Sequence, residues 1–161
     1  MHSIFKTLSR YHAWAYEILF TAVDQLSEND YFAEVGLAFN SIHRTLNHLY
    51  LCDYLWYRRF RHAHSPNSAS EIGFQNYVQV KEGVRDQAQQ WCEFIDTLPE
   101  QLPDEITSTN LRGMTTTASY VSTLLHVFNH GTHHRGQISA ALTQYHIAAP
   151  EMDLYYYLKS R

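Results

Sequence analysis

Apolar residues recur three and four positions apart along four stretches of the chain, the period of helices that bury one face. The first stretch runs from about Ser3 to Leu26, with Phe5, Leu8, Trp14, Ile18, Leu19 and Val23 as its stripe, and Ser27-Glu28-Asn29-Asp30 ends it. A loop containing Gly36 leads to Asn40-Ser41, short polar side chains suited to accept from the first free amides of a helix. The second helix is expected over 41–62, burying Ile42, Leu46, Leu49, Cys52 and Trp56. Turn chemistry follows at His64-Ser65-Pro66-Asn67-Ser68-Ala69-Ser70. The third helix is expected over 74–98, stopping before Pro99 because proline disfavours helical backbone at the preceding residue.

The period then changes. Glu105 to Thr117, rich in Thr and Ser around Asn110-Leu111-Arg112-Gly113, reads as a short β-hairpin that must pack on the helices, since two strands alone are marginal. The fourth helix is expected over 118–145, with Leu124, Leu125, Phe128, Ile138 and Ala141 turned inward. A tail after Pro150 ends in Tyr155-Tyr156-Tyr157-Leu158, aromatic residues expected to pack it onto the helices. No repeat or linker interrupts the pattern, so residues 1–161 are read as one all-α domain, a four-helix bundle with a hairpin before the last helix.

Charge and composition remove several function classes. A chain of 161 residues buries roughly 70% of its unfolded surface and needs no disulfide or metal to hold a core. A net charge of −4 argues against neutralising nucleic-acid phosphates and against a basic membrane-surface helix. Polar residues break every apolar run well short of a membrane span, and the N-terminal residues lack a signal-peptide profile. Two cysteines, Cys52 and Cys92, suit a reducing compartment. A cytoplasmic protein with neither nucleic-acid nor membrane partners is expected.

Histidine usage points to chemistry. There are 11 histidines against 12 lysines and arginines. His126, His130, His133 and His134 crowd one part of the fourth helix, and His43, His48, His62 and His64 form a looser group. His130 and His134, four apart, differ by about 40° around the axis, so their imidazoles can converge on one ion at about 2.0–2.1 Å. His126 continues that ladder, whereas His133 points about 100° away from His134. Two imidazoles make a weak site, and a third ligand should come from a facing helix. His48, at the edge of the second helix's apolar stripe, can reach between helices, and three imidazoles leave coordination positions open. Spacing alone does not choose His48 over His43 or Cys52.

Neighbouring groups carry plainer readings beside the chemical ones. Gln137 and His126 flank the ladder and could hydrogen-bond a ligand's second nitrogen or a bound substrate, although ordinary solvated residues look the same in sequence. Asp53 could orient an imidazole, but pairing with Tyr57 or nearby arginines, or solvation, is the favoured reading. Arg135 could bind an anionic group; a salt bridge is the simpler role. Cys52 could ligate or react, yet reads more simply as a small buried residue.

The stretch Leu125-His126-Val127-Phe128-Asn129-His130-Gly131-Thr132-His133-His134-Arg135-Gly136-Gln137-Ile138 resembles the signature of the DinB/YfiT-like family of metal-dependent enzymes. Ser41-Ile42-His43-Arg44-Thr45-Leu46-Asn47-His48-Leu49 is similar to the family's second-helix histidine motif, and Tyr11-His12-Ala13-Trp14-Ala15 to its Trp-containing first helix. Thr109-Asn110-Leu111-Arg112-Gly113 and the segment from Pro150 to Leu158 resemble its hairpin and its ending. The resemblance implies a down-up-up-down bundle, one divalent transition metal (Zn, Ni or Fe) held by His48, His130 and His134, and a homodimer. It also implies, for some members, thiol-dependent transfer using a low-molecular-weight thiol. The family name reflects DNA-damage-inducible expression, hence a stress-response association, and not a polymerase.

Three functions follow as expectations. A metalloenzyme would act on a small-molecule substrate as a thiol S-transferase or, with water in place of thiol, as a hydrolase; the sequence singles out no catalytic residue beyond the ligands. A non-catalytic metal-binding protein would close the site with a further protein ligand such as Cys52 or His126. Nucleic-acid binding is the least favoured, given the acidic balance.

Overall fold

The computed structural model describes residues 2–62 and 73–161; the turn expected over 64–70 falls outside them. Four long helices form the bundle: α1 (His2–Val23), α3 (Ile42–Phe60), α4 (Tyr77–Asp96) and α5 (Tyr120–Leu142). A short α2 (Glu28–Phe32) follows α1, and α6 (Leu154–Lys159) lies in the tail. Strands β1 (Glu105–Thr109) and β2 (Thr115–Ser119) pair antiparallel, Glu105 opposite Ser119 and Thr109 opposite Thr115. No described helix is long and apolar enough to cross a membrane.

The starts of the helices are written locally. The side chains of Ser27, Ser41, Asn76 and Ser119 cap α2, α3, α4 and α5, each accepting from a backbone amide three residues on. Ser27 therefore starts a further helix as well as ending the first, and α2 was absent from the pattern because five residues show no period. Asn76 delays α4 past the expected start at 74, and α4 ends at Asp96 with Thr97 as its C-cap, two residues ahead of Pro99. Asn110 builds the hairpin turn: its Oδ1 accepts from the amides of Arg112 at 2.9 Å and Met114 at 3.1 Å, while Gly113 takes φ +78°. Ile106 is the buried residue of the hairpin and anchors it against α3 and α5.

Side-chain pairs give the helix directions. His2 meets Leu98, Arg10 meets Asp96, Glu17 meets Arg85 and Asp24 meets Lys81, so α1 and α4 run antiparallel. Tyr50 lies beside Phe74, and Tyr57 and Phe60 lie beside Trp91 and Phe94, so α3 runs parallel to α4. Phe60 meets Tyr120, and His48 meets His134, so α5 runs antiparallel to α3. The long helices thus follow the down-up-up-down order, in which α1 and α3 occupy opposite corners.

The core falls into two apolar clusters. One gathers Tyr16, Leu19, Phe20, Ile42, Leu46, Val80 and Ile138; the other gathers Phe5, Phe60, Trp91, Ile95, Leu124 and Phe128. Burying each large apolar side chain contributes about 1.5–3 kcal/mol, enough to hold the bundle without a staple. Several expected core positions are corrected. Leu8, Trp14, Ile18, Cys52 and Trp56 are only half-buried, and Leu125 is 41% exposed. Trp14 instead packs with Tyr11 and Tyr157 where α6 meets α1, and Tyr157 alone of the three tail tyrosines is buried. The helical period located the apolar face but not its width: residues on its flank are covered only where another element arrives.

Candidate metal centre

α3 and α5 cross so that three imidazoles meet. His130 Nε2 lies 3.2 Å from His48 Nε2 and 3.1 Å from His134 Nε2. One nitrogen facing two others cannot serve both as donor and keep its lone pair. Nitrogens bound at about 2.0–2.1 Å to a common ion, at angles of 90–109°, are themselves about 2.9–3.4 Å apart. Both separations fall in that interval, so the contacts His130 makes with His48 and with His134 each suit nitrogens around a shared divalent ion. Burial pushes His48 and His130 down to about 4, with repulsion from neighbouring imidazoles adding to it, and burial also lowers His134. All three rings are therefore neutral at neutral pH, the form that ligates metal.

Two contacts orient these rings. His134 Nδ1–H donates to Gln137 Oε1 at 2.7 Å, which leaves the Nε2 lone pair directed at His130. The amide nitrogen of Gln137 donates to His133, itself exposed and outside the group. Phe39 stacks on His48 with ring centroids 3.8 Å apart and planes 20° apart, fixing the imidazole plane. Nothing in the sequence marked Phe39, because it comes from the irregular segment before α3. His126 is exposed, with its ring against Trp56 and His130, and it donates no ligand atom to the group.

Cys52 enters the site in a way its apolar reading did not anticipate. Its Sγ lies 3.5 Å from His48 Nε2, and one donor atom each from His48, Cys52 and His130 lie within 4.8 Å of one another. Being four residues after His48 was the available signal. Burial pushes the thiol up to about 12, so it stays protonated at neutral pH unless an ion displaces the proton. His43 goes elsewhere: its Nε2 accepts from Asn47 and its Nδ1 pairs with the Tyr31 hydroxyl. His62 is exposed at the end of α3, and His64 lies outside the described residues.

Behind the imidazoles lies a buried polar network that spacing did not reveal. Asp53, expected to be solvated or paired with Tyr57 or neighbouring arginines, is 1% exposed, and its Oδ2 accepts from His12 Nε2 at 2.8 Å and from the Tyr16 hydroxyl at 3.1 Å. Arg135, expected in an ordinary salt bridge, is equally buried and donates to His12 Nδ1 at 3.0 Å and to Thr132 Oγ1 at 3.2 Å. Arg135 has only donors, so His12 Nδ1 must carry the lone pair and Nε2 the proton. His12 is accordingly neutral, held below its ordinary value first by burial, and it bridges a carboxylate on α3 to a guanidinium on α5. Gly131 permits the approach: a Cβ there would stand 2.5 Å from His12 Cε1 and 2.8 Å from an Arg135 nitrogen.

A cavity of about 640 Å³ opens on the other side of His48. Phe32, Phe39, Leu51 and Phe74 supply its apolar wall, and His43, Arg44 and Asn47 its polar side. Such a volume suits a small molecule.

Compared with known proteins, residues 1–161 match the model of the DinB family. Protein DinB of Bacillus subtilis (strain 168) is 31% identical over 160 residues, covering 94% of this chain and 91% of that protein. A family match along the whole length, a relative aligned almost end to end, and a helical bundle that brings histidines of its second and last long helices together lead to one conclusion: the chain belongs to the DinB family.

Proposed function

We propose that this protein is a metal-dependent enzyme that holds one divalent transition metal through His48, His130 and His134 and joins a low-molecular-weight thiol to an electrophilic small molecule. The observation that carries this reading is the pair of Nε2 separations at His130, 3.2 and 3.1 Å, which match nitrogens sharing one ion. A divalent ion bound there would lower the pKa of a thiol or water that reaches it. The protein's own share is to keep three imidazoles neutral by burial, to aim His134 through Gln137, and to hold the plane of His48 with Phe39. In the transfer, the thiol's sulfur bonds to the electrophilic carbon, the thiol proton passes to solvent, and the displaced group leaves with its bonding electrons. The cavity beside His48 is where the electrophile sits.

The test is elemental analysis of tag-free protein, purified without metal-affinity resin, beside the His48→Ala/His130→Ala/His134→Ala variant. About one equivalent of a divalent metal, lost in a variant that keeps its helical circular-dichroism signal, supports the site. No metal and no uptake of added zinc or nickel would overturn it. The loaded protein is then offered bacillithiol and an aryl halide. Metal-dependent conjugate formation supports the transferase, while consumption of the halide without thiol incorporation makes the protein a hydrolase.

Cys52 supports a second reading, a non-catalytic metal-binding protein whose site is closed by protein sulfur. Its Sγ is already 3.5 Å from His48 Nε2. Cobalt-loaded protein separates the two. A sulfur-to-cobalt charge-transfer band that Cys52→Ser abolishes favours the closed site, and its absence favours an open position for substrate.

A further inference from the structure

We infer that the cavity beside His48 binds a small carboxylate with an apolar body, and that Arg44 is the residue that takes the carboxylate. The inference deepens the proposed function by naming its substrate class and rests on that reading only for what happens at the ligand's other end.

The polar groups of the wall decide the charge of the occupant. Asn47 is committed: its amide nitrogen donates to His43, and its oxygen accepts from the Phe74 amide at 2.8 Å. His43 is committed on both nitrogens, to Asn47 and to the Tyr31 hydroxyl. Ser41 Oγ caps α3 by accepting from the Arg44 amide at 3.2 Å. The Arg44 guanidinium, exposed at the mouth of the cavity, makes no hydrogen bond or ion pair among the described residues, and none of the described residues lining the cavity is a carboxylate. A guanidinium at the mouth with no anionic partner among the described residues favours an anionic occupant, and the planar fork of arginine matches a carboxylate with two parallel hydrogen bonds.

The rest of the wall decides the body. Phe32, Phe39, Leu51 and Phe74 offer apolar surface, and Phe32 stays 39% exposed although it lines the cavity. Arg44 and His48 are four residues apart on α3, so they share one face about one helical turn from each other. A ligand anchored at Arg44 therefore lays its apolar part along Phe39, which stacks on His48, and brings its far end to His48 and to Leu51 about one turn beyond.

Equilibrium dialysis with 1-naphthylacetate and its neutral isostere 1-naphthylacetamide tests this on wild-type protein, Arg44→Gln and Leu51→Trp, each with and without added zinc. Wild-type protein should prefer the carboxylate by about tenfold. Arg44→Gln should abolish that preference with unchanged zinc stoichiometry, and Leu51→Trp, which fills the wall, should weaken both compounds alike. Equal binding of the two compounds, or binding of neither, overturns the inference. A preference that persists in Arg44→Gln also overturns it, because the carboxylate would then sit elsewhere. Unweakened binding to Leu51→Trp places the ligand outside the cavity and overturns it too. Protein that takes up no zinc yet keeps an Arg44-dependent preference sustains the inference while the metal reading fails. Protein that binds zinc without preference does the opposite.

Discussion

Asp53 Oδ2 lies 2.8 Å from His12 Nε2, a bond that ties α3 to α1 across the diagonal of the bundle, one residue along from Cys52. Its carboxylate is the buried counter-charge to Arg135, with neutral His12 between them. Replacing it with asparagine leaves the guanidinium buried without compensation. Asp53→Asn should lose about 3 kcal/mol of stability in urea unfolding. A midpoint and slope equal to wild type would remove the network from the account of stability.

Two glycines of α5 should respond with opposite sign to the same change. Gly131→Ala places a methyl group 2.5 Å from His12 Cε1, in a region where neither His12 nor Arg135 has room to withdraw, and should destabilise by about 1–3 kcal/mol. Gly136 has nothing within 4 Å of such a methyl group, so Gly136→Ala should gain up to about 1 kcal/mol from helix propensity. Thermal melts of both variants check the pair, and similar shifts in both would count against the close approach of α1 to α5.

Gln137 should govern metal affinity without being a ligand. Its Oε1 accepts from His134 Nδ1 at 2.7 Å, and Gln137→Leu removes that acceptor while leaving the helix intact. Metal affinity should fall by about 10–100-fold in a competitive chelator titration, with the unfolding midpoint of metal-free protein close to wild type. An unchanged affinity would show that His134 needs no such support.

Acid should destabilise the metal-free protein well before carboxylates titrate. His12, His43, His48, His130 and His134 all have folded-state values below the ordinary 6.5, with burial the first cause in each case, and His48 and His130 reach about 4. Between those limits the unfolded chain holds more protons than the folded one, so stability is complete above pH 6.5 and declines as pH falls toward 4. Asp24 and Asp96 shift below 3.8 and act only at lower pH. The melting temperature of metal-free protein should therefore drop between pH 7.5 and 5, and a flat profile over that range would contradict the neutral, buried imidazoles.

Much of this architecture is local and so was written in the sequence by itself. Helical period placed the four long helices, Ser41 and Pro99 marked their boundaries, and the four-residue spacing of His130 and His134 put both rings on one face of α5. These features depend on neighbours within a turn or two. Only the tertiary structure decided what meets that face. It brought His48 to His130 and left His43 with Tyr31, although both histidines stand on α3. It also set Phe39 on His48, and it turned Asp53 and Arg135 inward to His12, although Asp53 reads in sequence like a solvated or helix-paired charge and Arg135 like an ordinary salt-bridge partner. The physical reason is that a polar residue's burial depends on a partner arriving from another helix, and Asp53 and Arg135 find theirs in His12, 41 and 123 residues away along the chain. Periodicity reports the direction a side chain takes from its own helix and carries no record of what lies opposite.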